Sequence, residues 1–120
     1  MNKTINITNL YTVSESNTKE HWGKSYARHK LQKNCVKLSL LEHQIPKRLP
    51  VQVSLVRSSS QLLDDDNLQS AFKYIRDTIA DYFIEGKLPG RADADPRITW
   101  KYDQEKGPTK SIRITFDWPD

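Results

Sequence analysis

Residues 3–10 alternate between apolar and polar, with Ile5 and Ile7 on one side and Thr4, Asn6 and Thr8 on the other. That is the period of a strand buried on one face. After a polar, turn-rich stretch over 14–22, Tyr26, Leu31, Cys35, Leu38 and Leu41 recur at spacings near three and four. This predicts an amphipathic helix over about 24–42, its exit bracketed by Pro46 and Pro50. Val51, Val53 and Leu55 then alternate with Gln52, Ser54 and Val56, predicting a second strand that gives way to a serine-rich loop over 57–61. Leu68, Phe72, Ile75, Ile79, Tyr82 and Phe83 form a second helical stripe that stops before Gly86 and Pro89. Two more alternating runs, Ile98-Trp100-Tyr102 and Ile112-Ile114-Phe116, flank a Gly107-Pro108 turn and predict an antiparallel hairpin. The order β-α-β-α-β-β, without internal repeats, predicts an α+β domain: a small mixed or antiparallel sheet with two helices on one face.

Length adds a bound. At 120 residues the chain has room for one core and therefore one domain, 1–120. Hydrophobic residues are 36% and mean hydropathy is −0.76, so the core is thin and a dimer interface is a natural supplement. A single cysteine, Cys35, excludes an internal disulfide, and its place on the apolar stripe predicts an inert thiol. No secretory leader pattern is present, and no run approaches the ~20 apolar residues of a membrane span. The expectation is a soluble cytoplasmic protein without a membrane partner.

The net charge of +4 is unevenly placed. Residues 1–62 carry ten Lys and Arg against three acids, whereas 63–120 carry nine against twelve. The basic half includes Lys24, Arg28, Lys30, Lys33 and Lys37 on the predicted first helix, with Lys47 and Arg48 beyond it. Such a face suits phosphate contacts through counterion release, with Lys24 and Arg28 the foremost candidates. The acidic half concentrates carboxylates in Leu63-Asp64-Asp65-Asp66-Asn67-Leu68, where a loop enters the second helix. On extended backbone Asp64 and Asp66 share a side and suit one Mg²⁺ or Mn²⁺ ion, leaving the remaining coordination to water and phosphate. The same acids would also cap a helix N-terminus. A further carboxylate is available in Asp93 or Asp95, which otherwise make a polar turn before Pro96. His21 and His29 lack partners at metal-ligand spacing and read as surface residues. Trp22, Tyr26 and Trp100 read as core or interface.

The Asp64-x-Asp66-Asn67-Leu68 motif opening an amphipathic helix, followed some thirty residues later by Asp95-Pro96-Arg97-Ile98 ahead of a strand, resembles the RusA family of Holliday-junction resolvases. Ser14-Glu15-Ser16-Asn17 after the first strand is similar to the Ser/Asn turn of that family. The resemblance implies a homodimeric, Mg²⁺-dependent endonuclease of phage or prophage type that nicks four-way DNA junctions in pairs during recombination and repair. It implies Asp64, Asp66 and Asp95 as metal-binding catalytic carboxylates, with Asp93 as the substitute for Asp95. Two departures stand out: Ser70 occupies the place of a family lysine, and Gln61-Leu62-Leu63 lacks the basic residues that precede the first aspartate. Lys73, one turn beyond Ser70, is the candidate to replace the lysine, with Arg76 behind it. The alternative is a dimeric RusA-like DNA-binding protein with weakened or lost cleavage. A third reading is an interaction protein whose aspartates only cap a helix.

Overall fold

The computed structural model describes residues 1–10, 12–15, 22–86 and 91–119. The elements are β1 (Asn2–Thr8), α1 (Trp22–Glu42), β2 (Val51–Ser59), α2 (Asp65–Ala71), α3 (Lys73–Phe83), a short 3₁₀ turn (Ala92–Ala94), β3 (Ile98–Lys106) and β4 (Ser111–Asp117). The α+β expectation holds, and the sheet is mixed, with strand order β1-β4-β2-β3.

The sheet corrects the hairpin expectation. β3 pairs parallel with β2, from Val51↔Ile98 to Ser59↔Lys106, and β4 inserts antiparallel between β1 and β2. The short connection at Gly107-Pro108 therefore steps over the end of β2, where Gly107 N–H donates to Ser59 C=O at 3.1 Å. Enclosed by neighbours on both sides, β2 has Val51, Val53 and Leu55 at 1% exposure or less. The strand also runs further than its apolar pattern: Arg57, Ser58 and Ser59, expected in a loop, complete it. Arg57 is buried there, donating through Nε to Thr12 Oγ1 at 3.0 Å and through a guanidinium nitrogen to Gln61 C=O at 2.8 Å.

Ile5, Ile7, Ile98, Ile112, Ile114 and Phe116 extend the same buried sheet face, and the helices cover it with Val36, Leu40, Leu68, Phe72, Ile75, Ile79 and Phe83. The second predicted helix is two. Phe72 sits at the joint with φ −94° and ψ 4°, and its N–H closes a tight bond to Gln69 C=O at 3.1 Å before α3 starts.

α1 departs most from its pattern. Arg28, Gln32, Val36 and Leu40 face inward, while Trp22, Tyr26, Leu31, Leu38 and Leu41 are exposed and Cys35 is half-buried. The predicted core stripe points to solvent, and Trp22 and Tyr26 are not core residues. The inward Arg28 is accommodated because Glu15 reaches it from the segment after β1.

Candidate functional site

Asp64 ends the loop that follows β2. Its backbone is extended, with φ −71° and ψ 169°, and its Oδ1 accepts from Asn67 N–H at 3.0 Å, so it caps α2. Asp65 and Asp66 already lie in the first helical turn. The expected extended arrangement of the two outer carboxylates gives way to a cap followed by a turn, although both remain exposed. Replacing Asp64 by Ala is expected to lower the unfolding free energy by roughly 1 kcal/mol, the usual cost of losing a cap; equilibrium urea unfolding checks it.

Two segments of the motif pattern meet here. Ser14 Oγ donates to Asn67 Oδ1 at 2.5 Å across 53 residues of sequence. The neighbouring Glu15 binds Arg28 and accepts from His29 Nε2 at 2.9 Å, so the turn after β1 ties the entrance of α2 to the first turns of α1. Ser16, Asn17 and His21 lie outside the described residues. Burial by itself would raise the Glu15 carboxyl, but hydrogen bonds and charge from Arg28 and His29 more than offset it and hold its pKa below the ordinary value. His29 is no free surface residue: it stacks on Tyr74 with ring centroids 3.8 Å apart.

The third carboxylate is elsewhere. Leu63, next to Asp64, donates its N–H to Gln104 Oε1 at 2.8 Å, towards the end of β3. Asp95 lies before the start of that strand and accepts from Ile98 N–H through its carbonyl at 3.1 Å. Ile98 and Gln104 are six residues apart on one strand, about 20 Å at the ~3.3 Å rise of a parallel strand. The parallel β2–β3 pairing makes this unavoidable, since the end of one strand and the start of the next fall at opposite ends of the sheet. Asp95 is buried and clamped by Arg97, whose Nε and guanidinium reach its two oxygens at 3.0 and 2.9 Å. Asp93 is equally engaged, 3.1 Å from the Arg76 guanidinium. Neither joins Asp64 and Asp66, and no group of three or more His, Cys, Asp or Glu able to hold a metal occurs among the described residues. A three-carboxylate Mg²⁺ centre does not fit within one chain.

Arg76, the candidate behind Lys73 for the missing lysine, is half-buried and also donates to Tyr102 Oη at 2.7 Å. Beside it, burial and then the Asp93 charge raise the Asp77 carboxyl above its usual range. Sequence reading missed this Arg76-Asp77-Asp93-Tyr102 cluster. The apolar i, i+3 run around Arg76 was its only local trace.

The basic face divides. Lys24, Lys30, Lys33 and Lys37 are exposed, and the last three share a side of α1 at spacings of three and four. Arg28 is corrected as a phosphate contact, because its guanidinium is buried against Glu15. Lys73 lies with Lys33: each places its Nζ 5.3 Å from the Tyr74 ring centroid. That arrangement extends the basic ridge from α1 onto the start of α3. No family model and no curated protein matches the chain.

Proposed function

We propose that this chain is a RusA-like protein that binds four-way DNA junctions as a homodimer and nicks them weakly with Mg²⁺ or Mn²⁺. The observation that carries the reading is the Ser14–Asn67 contact, which joins the turn after β1 to the entrance of α2. There Ser14 and Glu15 tie α2, with its exposed Asp64 and Asp66, to α1, whose flank towards α3 carries Lys30, Lys33 and Lys37. Those lysines, with Lys24 and Lys73, supply phosphate contacts. Mg²⁺ needs only one or two carboxylates when waters and substrate phosphates complete its shell, so Asp64 and Asp66 suit it without Asp95. Bound there, the ion would polarise a scissile phosphate and generate hydroxide. The distance of Asp95 and the presence of Ser70 in place of a lysine weaken cleavage relative to binding. A second reading, binding without cleavage, is favoured by the same separation.

A labelled four-way junction tests both. A gel shift that weakens roughly five-hundredfold between about 50 and 200 mM salt is expected for the five lysines of one protomer. Nicking in Mg²⁺ should vanish in Asp66→Asn while the shift persists, and should persist in Asp95→Asn. A shift without nicking in any divalent ion selects the binding reading. A junction affinity indifferent to salt overturns both.

A further inference from the structure

The buried side of α1 is polar at its first two positions, and its outer side is apolar. Leu31, Leu38 and Leu41 are 53%, 65% and 54% exposed. With Ala27 and Asn34 they form the series 27-31-34-38-41 at spacings of four, three, four and three, the seam of a two-stranded coiled coil. Val36 and Leu40 occupy the opposite, inward side, so this series is not the edge of the core. Three exposed leucines along one side of a 21-residue helix, interrupted by Asn34, give it an apolar face of the sort that marks an interaction surface.

We propose that this series is a parallel helix–helix seam between two copies of the chain. The proposal rests on the reading above for its stoichiometry alone, and it names the surface. The 3.5-residue spacing calls for a helix as the covering element, and a twofold axis along the pair brings each seam residue against its own mate. Leucine then packs on leucine at three levels, with Asn34 facing Asn34 of the second copy. Charge selects the direction. In a parallel pair, Lys37 flanks the seam opposite Glu42 of the second copy, five residues on, and this attraction occurs twice. In an antiparallel pair centred on Asn34, Lys30 would face Lys37 twice. Trp22, Tyr26 and the lysine ridge stay at the rim in the parallel arrangement, leaving Lys33 open to a polyanion.

Sedimentation of the full chain without DNA tests the seam independently of junction binding. A species of twice the 14.0 kDa chain mass is expected at micromolar concentration. Leu38→Glu, at an exposed position that leaves the fold intact by circular dichroism, should yield monomer. Asn34→Leu should tighten association roughly tenfold, since a polar seam residue costs stability. Lys37→Glu should weaken it by facing Glu42, and pairing it with Glu42→Lys should restore it. A chain that stays monomeric, or a dimer indifferent to Leu38→Glu, overturns the seam. Tightening by Lys37→Glu overturns its direction. A dimer indifferent to Leu38→Glu leaves the homodimeric junction reading standing, a monomer removes the homodimer from that reading but not its DNA binding, and loss of junction binding leaves the seam.

Discussion

Phe72→Ala is expected to remove roughly 3–5 kcal/mol of unfolding free energy, the cost of deleting a fully buried aromatic ring and leaving its cavity. Phe72 has no exposed surface and stands at the α2–α3 joint, its ring 6.1 Å from that of Tyr102 on β3. A domain of this size has about 5–15 kcal/mol in total, so the loss is about a fifth of its stability or more. Phe72→Leu, which keeps most of the volume, should cost about 1.5 kcal/mol or less. Urea unfolding with an unchanged denaturant slope checks both, and a loss below about 1 kcal/mol in the alanine variant would contradict the packing of the joint. The joint also positions α2, which carries Asp66 and is capped by Asp64. In folded Phe72→Ala, therefore, the junction shift should persist while any Mg²⁺-dependent nicking falls further.

The strands were legible where one face is buried and the other wet: Ile5 and Ile7, Val51 to Leu55, and Ile112 to Phe116 alternate in sequence and in burial. Their partners were not. Period-two alternation fixes which residues face the core but not which strand lies alongside, and the Gly107-Pro108 turn is equally able to close a hairpin or to step across β2. The distance between Asp64 and Asp95 is a consequence of that pairing. A hairpin misreading leaves the two ends of β2 and β3 unassigned, so the gap between the carboxylates was invisible in their spacing. On α1 the difficulty was of another kind. The helix offers two stripes, one of Leu31, Leu38 and Leu41 and one of Val36 and Leu40 with Arg28 and Gln32. Hydrophobicity favours burying the first. The second is buried because Glu15, thirteen residues upstream, neutralises the arginine, a long-range pairing that helical periodicity does not contain.

That pairing makes Arg28 a sensitive charged position. Arg28→Met is expected to cost roughly 3–5 kcal/mol near neutral pH, because it strands the Glu15 carboxylate in a buried setting with one partner fewer. Both side chains are enclosed, at 6% and 10% exposure. The pH dependence gives the sign. In the native chain the folded Glu15 pKa lies below its unfolded value, so its contribution is complete above the ordinary glutamate range and is lost as pH falls through the lower folded value. Without Arg28 the burial that already pushes this carboxyl upward prevails, and its folded pKa rises above the unfolded one. Protonation then relieves the variant, so the stability gap between the two proteins should narrow as pH falls below the ordinary glutamate range. Glu15→Gln combined with Arg28→Met should recover much of the loss at neutral pH, since no stranded charge remains. Urea unfolding of the native chain and the two variants at pH 7 and pH 4 measures the effect, and a gap that widened in acid would contradict the buried pair. Because the guanidinium is enclosed rather than offered to phosphate, junction affinity of the folded double variant should match that of the native chain, while Lys33→Ala should lower it.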